Sequence, residues 1–215
     1  MRTRIKICGI TRLDDALSAV NLGVDAIGFV FFSKSPRAIH AEDAQKIVAS
    51  LPPFISVVGL FVDAELKYIR DILKHVQLDM LQFHGNETPE FCDQLGLPYI
   101  KSVRMSPNQD LIKWSEQYSS ARGLLLDSYK PGIPGGTGMV FDWQTIPRER
   151  LSCPIILAGG LNRKNVLEAI SIVRPWSVDV STGVEKSPGE KDTALLADFI
   201  MKVNSFNDFG ENNEY

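Results

Sequence analysis

A chain of 215 residues, 44% hydrophobic and 23% charged, is long enough to bury one sizeable core. Its formal net charge of −3, with acids and bases interspersed, argues against a nucleic-acid-binding stripe or a polybasic membrane patch, although small acidic metabolites can still bind through local groups. Three cysteines, an odd number at wide spacing with no C-x-x-C pair, argue against a disulfide scaffold or zinc ribbon and for a reducing compartment.

The run from Arg4 to Cys8 reads as a buried strand that delivers a thiol to its own C-terminal end, with isoleucine at alternate positions. Side chains alternate across a strand, so Lys6 and Cys8 share one face and Ile5 and Ile7 the other. Gly9 marks a sharp turn, and Thr11 with Asp14 and Asp15 offers an N-cap and first-turn acids to a helix from about Leu13 to Leu22. A second strand is expected from Asp25 to Phe31, then a polar loop carrying Ser35-Pro36-Arg37, then a helix from about Ala41 to Ser50. The alternation continues with a strand at 55–62 and a helix at 65–75, and a strand at 79–84 followed by a helix near Thr88-Pro89. A strand at 99–103 is followed by a helix at about 108–118, and a strand at 123–127 stops at an acid.

Residues 130–138 are rich in glycine and proline and cannot hold regular structure, so they read as a lid or a ligand loop. A short helical stretch around Trp143 precedes a strand at 155–158, which runs into Gly159-Gly160 and a helix capped by Asn162. The last strand is expected at 177–181, and Asp192 opens a final helix to about Val203. Residues 204–215 are polar and acidic and read as a frayed tail.

Eight strand-then-helix units with no antiparallel hairpin signal between strands give a single-domain (β/α)8 TIM barrel over residues 1–203. The first turn lacks the G-x-G-x-x-G of a doubly wound dinucleotide fold. In such barrels chemistry sits at the C-terminal ends of the strands, where Cys8, Arg37, His84, Asp127 and Asp179 fall. Singly these are weak signals: a lone cysteine is most often packing, an acid at a strand end often caps a loop, and a loop arginine is usually solvated. The glycines are more specific. Gly159-Gly160 after the seventh strand and Ser181-Thr182-Gly183 after the eighth occupy the usual barrel phosphate site, where backbone N–H groups and a helix N-terminus receive a dianion. Gly136 and Gly138 are candidates to add donors from the 130–138 loop.

Several segments taken together resemble the phosphoribosylanthranilate isomerase family of tryptophan biosynthesis. They are Lys6 to Thr11, Gly28-Phe29 with Ser35-Pro36-Arg37, Gln82 with His84-Gly85 and Glu87, Leu125 to Asp127, Gly135 to Gly138 with Phe141-Asp142-Trp143, Leu157 to Leu161, and Val178 to Glu185. The likeness runs from Arg4 to Phe199, with small departures at Phe83 and Thr182. It implies an Amadori rearrangement of N-(5-phosphoribosyl)anthranilate, with Cys8 as general base, Asp127 as general acid, Arg37 on the anthranilate carboxylate and the glycine turns on phosphate. His84 and Asp179 are added as substrate-binding residues.

That chemistry explains why no cofactor or metal motif is needed. Once the ring opens, the substrate's own nitrogen forms a protonated Schiff base that acidifies the neighbouring C–H. Strand parity separately places Lys6 one layer below Cys8, and Asp179 one layer below Ser181, so a buried Lys6–Asp179 ion pair is expected, with Lys6 biasing Cys8 towards thiolate. A histidine-pathway isomerase, a pentulose-phosphate epimerase and a non-catalytic ligand-binding barrel fit less well. The first typically has aspartate at the position of Cys8, the second needs metal ligands on several strand ends, and the third has no use for both Cys8 and Asp127. The expectation is a cytoplasmic monomer or homodimer acting on a small phosphosugar, with no nucleic-acid or membrane partner, because no apolar run reaches membrane-spanning length and the N-terminus enters a strand at once.

Overall fold

The structure, a computed structural model, describes residues 2–106, 109–128, 141–147 and 150–211, the last four as backbone only. Eight parallel strands close into a barrel: β1 (Arg4–Cys8), β2 (Ala26–Val30), β3 (Ser56–Phe61), β4 (Met80–Phe83), β5 (Tyr99–Met105), β6 (Leu124–Ser128), β7 (Ile155–Leu157) and β8 (Ser177–Val180), with β8 pairing back onto β1. Helices α1 (Leu13–Asn21), α2 (Ala41–Ala49), α3 (Leu66–His75), α4 (Pro89–Cys92), α5 (Leu111–Gln117), α6 (Val166–Val173) and α7 (Thr193–Glu211) follow their strands. Closure leaves no strand edge exposed, and burial on both faces accounts for near-continuous apolar runs such as Leu124-Leu125-Leu126.

The main core lies between strands and helices, where Ile5, Ile7, Leu81, Leu126, Leu157 and Val178 meet the apolar helix faces. Alternate residues point inward and form two smaller clusters, one of Ile100, Leu125, Ile156 and Ala158, the other of Cys8, Val30 and Leu60. Two acids just ahead of strands act alike at the opposite, N-terminal end. Asp25 Oδ2 accepts from the Ile5 amide at 2.8 Å and Asp79 Oδ2 from the Val57 amide at 2.7 Å, each satisfying the backbone donor of the second residue of the preceding strand.

Four local expectations are corrected. Thr11 does not cap α1: Arg12 holds the cap position without a side-chain hydrogen bond, and the Thr11 hydroxyl donates to the Gly189 carbonyl at 2.5 Å. Asn162 does not cap α6 either. It organises the preceding turn by accepting from the Lys164 amide at 2.8 Å, and Asn165 occupies the cap position. A hairpin, β9 (Glu185–Ser187) with β10 (Glu190–Lys191), lies between β8 and α7 around a Pro188-Gly189 turn. Strands of three and two residues are too short for period-two alternation to register, and the Pro-Gly turn was their only signal. Between β6 and β7 the described residues hold one 3-10 turn, Trp143–Thr145, capped by Asp142.

The fourth correction concerns the tail. The last helix continues to Glu211 instead of fraying after Val203, because Phe206 packs against the core and Asn207 is buried against β1. Asn207 accepts from the Thr3 amide at 2.8 Å and donates to the Thr3 carbonyl at 3.1 Å. Asn207→Ala leaves both buried backbone groups unpaired and is expected to cost on the order of 1–3 kcal/mol, read as a thermal midpoint lowered by several degrees with turnover at room temperature unchanged.

Candidate active site

Inward-facing residues at the C-terminal ends of the strands line a cavity of about 570 Å³ that contains Cys8, Arg37, His84, Asp127, Asp179 and the corner Gly159-Gly160 with Ser181-Thr182-Gly183. Ten of the predicted site residues are thereby brought together. Gly136 and Gly138 lie outside the described residues.

On one wall the acid is held by a chain of polar groups. Asp127 ends the inward face of β6, where the three leucines before it fill the sheet and leave it the first polar side chain. Its Oδ1 accepts from the Ser128 amide at 2.8 Å and its Oδ2 meets His84 Nε2 at 3.1 Å. His84 Nδ1 lies 2.7 Å from Ser102 Oγ and 3.0 Å from Gln82 Nε2, while the buried Gln82 Oε1 has no partner among the described residues. Behind this wall the fully buried Lys101 donates to the Gly85 carbonyl and to Glu87 Oε2 at 2.7 and 2.8 Å, which fixes the turn after His84. Ser102 and Lys101 were missed in the sequence because both lie inside an apolar strand and not at its end.

The opposite wall carries the thiol. Lys6 Nζ donates to Asp179 Oδ1 at 2.9 Å across the β1–β8 pairing, with both side chains buried, as strand parity predicted. Gly28 on β2 makes room for the arrangement: a Cβ there would lie 3.1 Å from both Cys8 Sγ and Lys6 Nζ, so the missing methyl is what lets thiol and ammonium meet. Burial pushes the Cys8 thiol above its ordinary range, with Asp179 adding to the rise, while Lys6 and Lys191 pull the other way. The expected bias towards thiolate is therefore present but outweighed by desolvation. Lys6 itself is raised: burial disfavours its charge, but Asp179 and Cys8 together favour it more.

Two residues with unforeseen roles hold Arg37. Glu185, on β9, accepts from Arg37 Nε at 2.8 Å and Nη2 at 2.7 Å, a bidentate pair, and also from Lys191 Nζ at 2.8 Å. Lys191, on β10, donates in addition to the Cys8 carbonyl at 2.6 Å, so the small hairpin ties the arginine loop to the end of β1. Burial lowers the Lys191 pKa in spite of Glu185, whereas Glu185 is lowered because Arg37 and Lys191 outweigh its own desolvation. The Val184-Glu185 pair is legible in the sequence, but only the hairpin shows what it touches.

At the remaining side, Gly159 and Gly160 both adopt left-handed backbone, at φ 76° and 68°, which favours glycine. Asn162 Nδ2 and Asn165 Nδ2 both donate to the Gly160 carbonyl, at 3.1 and 3.0 Å. The 3-10 turn Thr182–Val184 packs directly against this corner: a Cβ on Gly183 would collide with the Leu161 carbonyl oxygen. Among the described residues no group of three or more His, Cys, Asp or Glu side chains is placed to hold a metal ion, and no helix is long and apolar enough to cross a membrane.

Comparison with known proteins agrees with this geometry. A model of the N-(5'phosphoribosyl)anthranilate (PRA) isomerase family matches residues 5–202. N-(5'-phosphoribosyl)anthranilate isomerase of Nitrosococcus oceani is 52% identical over 207 residues, spanning 96% of this chain and 100% of that protein. The protein of the same name from Pseudomonas putida is 54% identical over 200 residues, spanning 93% and 97%. Among solved structures, phosphoribosyl anthranilate isomerase from Thermotoga maritima superposes with a TM-score of 0.87 at 43% identity, covering 94% of this chain and 99% of that one. Another isomerase structure, in complex with reduced 1-(o-carboxyphenylamino)-1-deoxyribulose 5-phosphate, gives 0.84 at 42% identity over 94% and 99%.

Proposed function

The chain belongs to the N-(5'-phosphoribosyl)anthranilate isomerase family and is an isomerase of tryptophan biosynthesis; from that premise we propose that Cys8 and Asp127 are its two proton-transfer groups. The observation that carries this reading is that a thiol and a carboxyl line one cavity beside a glycine corner.

The substrate is a furanose phosphate bearing an arylamine at its first carbon. Asp127 protonates the ring oxygen as the bond from that oxygen to the first carbon breaks, and the lone pair of the substrate nitrogen forms the C=N bond of a protonated Schiff base. Cys8, as thiolate, then takes the proton from the second carbon. The electrons of that C–H bond form a C=C bond, and the C=N pair returns to nitrogen, giving an enaminol. Protonation at the first carbon with loss of the enol O–H proton yields 1-(2-carboxyphenylamino)-1-deoxy-D-ribulose 5-phosphate. No atoms are gained or lost, and the substrate nitrogen is the electron sink. His84 and Ser128 orient Asp127 through its two oxygens. Two asparagine amides hold the Gly160 carbonyl and so shape the corner that takes the phosphate, together with Ser181, Thr182 and Gly183. Asp179 accepts from a sugar hydroxyl.

Arg37 binds the anthranilate carboxylate, and Glu185 presents the guanidinium by gripping Nε and Nη2, leaving Nη1 outside that contact. Since the carboxylate is unchanged through the reaction, Arg37→Ala is expected to raise KM roughly 10- to 100-fold while kcat moves only a few-fold, measured by the fluorescence loss of enzymatically generated substrate. A fall in kcat at unchanged KM would place Arg37 in the proton transfers instead.

The protein works in the cytoplasm, where a catalytic thiol stays reduced; all three cysteines are free in the structure. It acts as a monomer or homodimer: the Thermotoga maritima relative is described as dimeric, with monomers generated from it.

A further inference from the structure

Cys8 is surrounded by few charges, and each has a definite place. From β2 and β3 it meets Val30 and Leu60, which carry none. Lys6 stands below it on its own strand, Asp179 approaches from β8 on the far side of Lys6, and Lys191 reaches the Cys8 carbonyl from β10. Arg37 and Glu185 lie beyond Lys191, bound to each other, and His84 and Asp127 face the thiol across the cavity. Among the described residues Lys6 is thus the cation whose ammonium touches both a carboxylate and the space beside the sulfur, 2.9 Å from Asp179 Oδ1 and, like Cys8 Sγ, 3.1 Å from the point where a Gly28 Cβ would be. Asp179 also lines the cavity, within reach of a sugar hydroxyl.

Resting on the reading of Cys8 as base, we propose that Lys6 is a positioning residue shared between Asp179 and Cys8, and that a substrate hydroxyl donated to Asp179 frees Lys6 to stabilise the Cys8 thiolate. The thiol proton leaves to solvent as the sugar settles, and the thiolate then accepts the proton from the second carbon. Without that hydroxyl Asp179 holds the ammonium at 2.9 Å, and burial together with Asp179 disfavours the thiolate. The opposed influences of Lys6 and Asp179 on the thiol, one favouring and one opposing its charge, agree with this division of labour.

The test is a pH titration of the Cys8 thiolate by its ultraviolet absorbance, taken as the difference between the protein and its Cys8→Ala variant. Asp179→Asn is expected to lower the titration midpoint by about one pH unit or more, and Lys6→Met to raise it by a similar amount, with Lys6→Arg near the parent. Saturating ribitol 5-phosphate, which offers sugar hydroxyls, should lower the midpoint relative to saturating inorganic phosphate, which offers none. A fixed ion pair would also shift the two variants in opposite directions, but its midpoint would not respond to sugar hydroxyls. Equal midpoints with the two phosphates, or variants that leave the midpoint unmoved or shift it the same way, overturn the proposal. If Lys6→Met does not fold, Asp179→Asn and the two phosphates decide alone. The titration needs no turnover: should Cys8→Ala remain active while the midpoints split as expected, the assignment of Cys8 as base fails and the control of its ionisation by Lys6 and Asp179 stands.

Discussion

Cys8→Ala is expected to fold normally and to lose on the order of a hundredfold or more in kcat, equivalent to about 3 kcal/mol of barrier. The fold should survive because the side chain contributes only a small apolar contact with Val30 and Leu60 at the edge of the cavity, and its backbone carbonyl, the part Lys191 holds, is unchanged. The loss should appear in kcat because, among the described residues, the carboxylates on that side are committed to ion pairs, Asp179 with Lys6 and Glu185 with Arg37 and Lys191. Circular dichroism and thermal melting establish the fold, and fluorescence decay of the generated substrate gives the rate. Turnover within a few-fold of the parent would remove the thiol from the mechanism.

Asp127→Asn should be equally damaging, again on the order of a hundredfold or more. The substitution is nearly isosteric. The carboxamide oxygen can still accept from the Ser128 amide, and the amide group can still meet His84 Nε2, so the wall of Gln82, His84, Ser102 and residue 127 stays in place. What it removes is the transferable proton, without which the furanose ring opens only by unassisted departure of an alkoxide. Substrate affinity should change little, and a reduced kcat with near-normal KM separates lost proton transfer from a disordered pocket. An active Asp127→Asn variant would require another acid, and His84 would be the first to examine.

Much of this arrangement was legible in the sequence because period-two alternation carries both the fold and its orientation. Lys6 and Cys8 had to face inward once Ile5 and Ile7 faced the helices, and the Lys6–Asp179 pair followed from parity on β1 and β8. Strand-terminal residues such as His84 and Asp127 stand out because polarity appears abruptly after an apolar run. Other partners do not announce themselves that way. Ser102 and Lys101 lie within β5, where position relative to the strand end gives no warning. Lys191 and Glu185 belong to a hairpin too short for any pattern, and their meaning depends on contacts between residues as far apart as Arg37 and Glu185. The extension of α7 was misjudged for a related reason. Composition made residues 204–211 look solvated, whereas Asn207 is polar because it must satisfy a backbone amide and carbonyl inside the protein. The net direction of the Cys8 pKa was also beyond the sequence, since it depends on how fully the thiol is desolvated and not on which charges are near.

The bond between Asn207 and Thr3 also bears on how the molecule comes into being. Strand β1 finds one hydrogen-bonding neighbour in β2 soon after synthesis, but its other neighbour, β8, follows much later, with Lys6 and Asp179 separated by 173 residues and Thr3 and Asn207 by 204. Until then β1 has an unpaired flank, and Lys6 waits for Asp179. Closure of the ring is therefore a late, long-range event, slow in proportion to the sequence separation it must bridge. Catalytic competence arrives only when β8 pairs with β1 and brings Asp179 to Lys6.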